Sequence, residues 1–333
     1  MDDRSEMSRQ LWCAGPGRYE LRRAPLPARA GDSDDAGETL TIRALVSAVS
    51  RGTERLVLDG AVPAGERGRM RAPFQNGDFP FPVHYGYQSV GVVEDGPADW
   101  IGRTIFALFP HQDRYRLPLA AAMPVPEGLP PARAALAANM ETALNAVWDS
   151  GAGPGDRITI VGGGVVGLLL TALTARLPGA EVTLVDVNPA REGLARAFGA
   201  AFAMPDAIGD DADLVFHTSA SAAGLATALS AAAFEAKVVE VSWFGGHAPA
   251  VPLGEAFHSR RLQLIGSQVG CVSPSRRPRW PHARRLAKAL ALLDDARLDQ
   301  LVSHVVAFDE APHRLPPLLT GGEDALAILL DYR

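Results

Sequence analysis

Two periodicities divide the chain. From about residue 11 to residue 120 the apolar positions come in short runs bounded by Gly or Pro: Leu11 to Arg23 (broken at Gly15-Pro16-Gly17), Leu40 to Ser47, Gly86 to Val93, Thr104 to Phe109 and Tyr115 to Pro118. Leu40 to Ser47 alternates with period two, which places every second side chain on one face of a half-buried strand. Many short strands with Gly/Pro punctuation predict a small antiparallel barrel. Residues 1–10 are polar and predict a frayed end. An acidic loop, Gly31 to Gly37, and a Gly/Pro/Arg-rich segment, Gly60 to Pro82, interrupt the runs. A loop as long as the second is uncommon unless functional. Its Phe74, Phe79 and Phe81 either wall a pocket or anchor the loop.

From Pro131 the pattern turns Ala-rich and helical through Leu144, and Gly151 to Asp156 closes that helix. Strands then alternate with helices. Strands are predicted at Ile158–Val161, Val182–Val185, Ala201–Met204, Asp213–His217, Lys237–Trp243 and Leu262–Gly266, and helices at Val165–Leu177, Pro189–Phe198 and Ala222–Ala233. This is the doubly wound α/β pattern. A basic loop around Arg276, Arg277 and Arg279 and an amphipathic helix, Pro281 to Leu293, follow; a tail reading strand, helix, strand completes the chain.

The first glycine turn carries the chemistry. Ile158 to Val161 is a β-branched strand, and Gly162, Gly164 and Gly167 follow in G-x-G-x-x-G spacing, with Gly163, Val165 and Val166 between them. The first glycine makes the turn, the second lets backbone approach a pyrophosphate, and the third lets helix pack on strand. The helix N-terminus offers free N–H groups to the phosphates. The second strand ends at Asp186, 19 residues after Gly167, where a carboxylate would bind the ribose 2′-OH of NAD and repel the 2′-phosphate of NADP. Thr218, Ser219 and Trp243 end later strands at the same carboxyl edge, where cofactors bind; Trp243 reads equally well as core.

Length and composition narrow the class. The 333 residues allow two domains, and 47% hydrophobic residues make the chain globular. A net charge of −6 argues against nucleic-acid and membrane-surface partners. Two cysteines, Cys13 and Cys271, make neither a disulfide framework nor a cysteine-rich zinc lobe. With no signal-peptide pattern and no apolar run of membrane-spanning length, a soluble cytoplasmic protein is expected.

The order of pieces resembles the medium-chain dehydrogenase/reductase superfamily over nearly the whole chain. Local marks are Gly86-x-x-x-x-Gly91-x-Val93, Pro154-Gly155-Asp156-Arg157 and Gly266-Ser267. Ser50-Arg51-Gly52-Thr53-Glu54, with Met70-Arg71-Ala72-Pro73-Phe74 and Gly86-Tyr87, resembles the branch containing bacteriochlorophyllide a dehydrogenase. The resemblance implies a GroES-like β-barrel catalytic domain (1–140 and 276–333), a Rossmann NAD-binding domain (141–275), a small-molecule substrate and a homodimer. In that branch the substrate is a bulky ring bearing an alcohol.

The departures from the superfamily matter as much. The positions of its zinc ligands fall on Ser50 or Arg51, on Tyr87-Gln88, and near Ala138, so no zinc is expected; His84 or His111 would be the remaining route to a metal. The resemblance places Thr53 where many members keep a proton relay and Tyr87 at a lost ligand position. Tyr87 is then either an acid or filler for the vacant site. Arg51 is a cation for pyrophosphate or a substrate carboxylate, or an ion-pair partner of Glu54. Glu141 on the linker helix is a tuned acid or a solvated face, and Thr142 a cofactor contact. The basic loop arginines, with Arg260 and Arg261, meet an acidic substrate tail or solvent. Three functions fit: a zinc-independent NAD(H) alcohol/carbonyl oxidoreductase, an NAD(P)H reductase of activated C=C bonds, and a non-catalytic dinucleotide-binding protein.

Overall fold

The computed structural model describes residues 7–27 and 38–333, so the Gly31–Gly37 loop lies outside the described residues. The chain forms two compact units, 1–138 with 290–333, and 139–289. The sequence places these switches at 140/141 and 275/276.

In the first unit, β1 (Met7–Gly15) and β2 (Arg18–Pro25) are an antiparallel hairpin. Met7 to Gln10 therefore belong to a paired strand rather than a frayed end. β1 also pairs β5 (Val83–His84), which pairs β4 (Asn76–Gly77). The second sheet is built on β3 (Thr39–Val49), flanked by β6 (Ser89–Asp95) and β8 (Arg114–Pro118). Beyond β6 lie β7 (Thr104–Ala107) and β9 (Met123–Pro124). Leu40, Ile42 and Ala44 bury every second residue of β3 against Val93, Ile105, Tyr115 and Leu117, which is the period-two run at work. α1 (Arg51–Leu58) leaves the end of β3, and α2 (Pro131–Ala134) ends the first pass through this unit. Phe74 stacks on Phe109 and Phe79 tilts against Tyr85, so these two rings anchor the long loop.

α3 (Ala137–Ser150) leads into the second unit. There β10 (Arg157–Val161) is followed by α4 (Val165–Thr174), β11 (Glu181–Val185), α5 (Glu192–Ala197) and β12 (Ala201–Ala203). Next come β13 (Ala212–His217), α6 (Ala222–Ala231), β14 (Ala232–Glu240), β15 (Gln263–Gly266) and α7 (His282–Leu292). The strands are parallel in the order β12-β11-β10-β13-β14-β15. The order reverses beside β10, so a crevice opens at the carboxyl ends of β10 and β13. β14 ends at Glu240, which pairs with His217 at the end of β13. Trp243 therefore lies in the loop beyond the strand and does not end it.

The chain returns to the first unit with β16 (Val302–Ala307), α8 (Ala311–Thr320) and β17 (Ala327–Asp331), and β17 pairs β3. No helix among the described residues is long and apolar enough to cross a membrane.

His84 on β5 is fully buried and stacked 5.6 Å from Trp12, with Nε2 3.1 Å from the His111 carbonyl. Burial pushes its pKa down to about 3. Its folded-state pKa thus lies below that of the unfolded chain, so its contribution to stability is complete above about pH 6.5 and drains away as the pH falls toward 3. Between pH 6.5 and 5 this costs about 2 kcal/mol. Urea unfolding across that range should show this loss in the parent. His84→Phe should remove it and flatten the curve; equal slopes would assign the acid sensitivity elsewhere.

Candidate active site and dinucleotide site

In the second unit, the glycine turn is set by contacts that no side chain could survive. Gly162 has φ +112°, and a Cβ there would lie 2.7 Å from the Ser219 nitrogen. A Cβ on Gly167 would lie 1.9 Å from the Gly162 carbonyl oxygen, so only glycine lets α4 pack this close to the end of β10. Thr218 Oγ1 donates to that same carbonyl at 2.7 Å, fastening β13 to the turn. Gly164 caps α4 without a side chain and has open space around it. Val165 and Val166 are half-buried at the helix start. The exposed N-terminus of a ten-residue helix is suited to an anion.

Asp186 follows β11 and closes on the turn: Oδ2 accepts from Gly163 N at 2.5 Å and Oδ1 from Asn188 N at 2.7 Å. The Arg191 side chain crowds the same face of Gly163. The Asp186 carboxylate and the Arg191 side-chain stem thus meet beside Gly163.

Glu141 on α3 is buried, and its partner is Arg285 of α7, at 2.9 Å. Arg285 also donates to Asn145 Oδ1 and to the carbonyls of Val269 and Cys271. Burial raises the Glu141 pKa and Arg285 opposes it. The carboxylate is bound into a buried frame holding the 269–273 loop, and is neither a solvated helix face nor a free acid. Thr142 is half-buried on the same helix. Arg260 bonds the Ala232 carbonyl and Asp210, Arg261 pairs with Glu235, and Arg276 lies over Trp148, so these arginines have protein partners.

In the first unit, Ser50 is the N-cap residue of α1 and Thr53 lies in its first turn. The Tyr87 phenol lies near both side chains, close enough for each hydroxyl to lower its pKa. The sequence names Thr53 and Tyr87, and the fold brings them together. Burial pushes the Tyr87 phenol up to about 12, the two hydroxyls lower it and Glu54 raises it. Arg51 is placed differently from expectation. Its guanidinium donates to the carbonyls of Leu318 (3.2 Å) and Ala325 (2.7 Å), pinning the C-terminal segment to α1, and does not pair with Glu54.

The sequence offers Glu54 as a partner for Arg51 and His111 as a route to a metal; that the two pair with each other is what sequence reasoning missed. Glu54 is 2% exposed; Oε1 accepts from Ser50 N at 2.8 Å and Oε2 lies 3.1 Å from His111 Nε2. His111 Nδ1 lies 2.7 Å from Ser47 Oγ, itself 2.8 Å from the Tyr332 hydroxyl. Gly86 makes room: at φ +120° its Cβ would sit 2.7 Å from the His111 ring. The glycine before Tyr87 was the one visible signal that something large must pass there.

These residues do not fit a zinc site. Ser50, Tyr87, Gln88 and Ala138 hold no set of Cys, His or carboxylate donors. Gln88 is buried with its amide directed to the Ala48 carbonyl. His84 and His111 are bonded within the barrel. Among the described residues no group of three or more His, Cys, Asp or Glu is arranged to hold a metal.

The chain thus combines a mixed-sheet barrel unit with a unit built on a parallel, doubly wound sheet. Residues 165–289 match the protein family described as zinc-binding dehydrogenase. The whole chain is similar in fold to a putative zinc-binding dehydrogenase from Sinorhizobium meliloti 1021 bound to NADP, with TM-score 0.75, 20% identity, and 98% of this chain and 99% of that one covered. It is similar to L-idonate 5-dehydrogenase from Escherichia coli K-12 with TM-score 0.77, 15% identity and 98% of each chain covered. It is also similar to alcohol dehydrogenase TADH from Thermus sp. ATN1, with TM-score 0.71, 21% identity, and 98% of this chain and all of that one covered.

Proposed function

We propose that this chain is a zinc-independent, NAD(H)-dependent oxidoreductase that interconverts an alcohol and a carbonyl on a bulky small molecule. The observation that carries the reading is the buried Tyr87 phenol beside the Ser50 and Thr53 hydroxyls at the head of α1. A zinc ion would polarise a substrate oxygen and stabilise its charge. Without one, a hydrogen-bond donor must do so. Burial keeps Tyr87 protonated at neutral pH, and Arg51, committed to two carbonyls, is not there to acidify it. In the reducing direction, Tyr87 gives its proton to the substrate oxygen as the carbon accepts hydride, and Thr53 passes a proton back to the phenol.

When bound, the nicotinamide dinucleotide supplies or accepts the hydride. Gly162 to Gly167 would cradle its pyrophosphate, Asp186 its adenosine ribose, and Thr142, Thr218, Ser219 and Trp243 the remainder. The packed glycine turn and the open α4 N-terminus support this reading. The open edge at β15, with Leu264 exposed, supports a homodimer.

Three measurements test the proposal. Fluorescence titration should show NADH binding more tightly than NADPH; the reverse order would make Arg191 the phosphate partner and overturn the role of Asp186. Protein purified without chelator should hold well under one zinc per chain and keep its turnover in EDTA. Stoichiometric zinc with activity lost on chelation would sink the zinc-free reading. Once a screen of carbonyl compounds with NADH has found a substrate, Tyr87→Phe should lose about 10²–10³ in turnover with NADH affinity unchanged. Turnover equal to the parent would reduce Tyr87 to packing.

A further inference from the structure

A second hydrogen-bonded chain lies at the carboxyl ends of β13 and β14. Glu240 Oε2 lies 2.6 Å from His217 Nδ1, and His217 Nε2 lies 2.7 Å from Ser219 Oγ. His217 is fully buried, whereas Ser219 is half-buried at the crevice. Glu240 Oε1 accepts from Ser242 N at 2.7 Å, so both carboxylate oxygens are used. Ser221 Oγ accepts from Gly224 N and lies 3.0 Å from Ser219 Oγ. A Cβ on residue 224 would lie 2.0 Å from Ser219 Oγ, so glycine there is what leaves the hydroxyl its place.

The protons follow from this wiring. A carboxylate only accepts, so His217 Nδ1 carries a hydrogen, and in the singly protonated ring Nε2 accepts. The donor available to Nε2 is the Ser219 hydroxyl, whose proton therefore points inward. Ser221, already accepting from Gly224, turns its own proton to Ser219 Oγ. Ser219 is left with one outward lone pair and no outward proton. Such a group takes a hydroxyl donor and not a phosphate oxygen.

The sheet order says which hydroxyl. β11 and Asp186 lie on one side of β10, and β13 and β14 lie on the other. With the pyrophosphate at the turn after β10, one nucleoside runs toward Asp186 and the other toward Ser219. We propose that Ser219 is the hydrogen-bond acceptor for a ribose hydroxyl of the nicotinamide-side nucleoside, with His217 and Glu240 as positioning residues that hold its proton inward. The inference rests on the dinucleotide reading above, and its test separates the two.

The probes are NADH, ADP-ribose and AMP, titrated at pH 8 into the full chain. Ser219→Ala should weaken NADH and ADP-ribose about tenfold and leave AMP unchanged. Glu240→Gln should weaken the same two ligands by a smaller factor. Unchanged AMP affinity shows that each variant is folded around an intact Asp186 side. Ring ¹⁵N spectra, with His217 identified by its loss in His217→Gln, should show the Nδ1–H tautomer in the parent and lose it in Glu240→Gln. Adding ADP-ribose to the parent should move the His217 resonances, and adding AMP should not. Parent-like NADH and ADP-ribose binding by Ser219→Ala would overturn the inference and leave the dinucleotide reading standing. Equal weakening of all three ligands would make the chain of groups structural only. Failure of the parent to bind NADH or NADPH would overturn both.

Discussion

The contact between the Gly162 carbonyl and the bare Cα of Gly167 is the constraint on which the dinucleotide unit depends. It fixes the angle at which α4 leaves β10, because any side chain at 167 would drive the helix off the strand. The same carbonyl receives the Thr218 hydroxyl, so the end of β13 is located by the turn as well. Ser219 follows at once, with its nitrogen against the space where a Gly162 side chain would be. Asp186 closes the other side by accepting from Gly163 N. One close approach thus sets three strand ends relative to one helix N-terminus, and this is why a short run of glycines carries so much information.

The barrel unit uses the same device at Gly86, to bring an imidazole past the backbone. What it gains is a carboxylate, Glu54, that is buried yet satisfied. Its oxygens meet a backbone N–H and a histidine ring, and that ring is tied through Ser47 to Tyr332 on the returning tail. An unpartnered carboxylate in that position would cost several kcal/mol. The C-terminal segment, also bound by Arg51, is therefore part of the candidate site's foundation as well as the last strand of the sheet.

The parts legible in the sequence were those that local spacing controls. Strand and helix order follows period two and period 3.6, the glycine turn follows its own spacing, and Tyr87 and Thr53 stand out because they sit where ligand-type residues are absent. The parts not legible depend on pairs far apart in the chain. Glu54 and His111 are separated by 57 residues, and Glu141 and Arg285 by 144. Arg51 illustrates the limit most plainly. A neighbouring glutamate at 54 invites a local ion pair, but α1 aims Glu54 inward to the histidine while the arginine reaches carbonyls 267 and 274 residues away. Trp243 was misplaced for a related reason: Glu240 turns inward to His217, which ends the strand three residues before the apolar run does.

Burial of a charge, then, does not distinguish function from framework in this protein; the use of every donor does. Arg285 is fully buried, but each of its three guanidinium nitrogens is engaged by Glu141, Asn145 or a loop carbonyl. Tyr87 differs in kind. Its hydroxyl lies beside two other hydroxyls, each of which can donate or accept, and burial keeps its proton in place. A proton can be handed on through such a group and replaced from behind without moving a heavy atom. The guanidinium frame cannot do this, because a guanidinium never gives up its proton and has no acceptor to receive one. That contrast is the reason the proposed chemistry falls on the hydroxyl cluster at the head of α1 and not on Glu141 or Arg51.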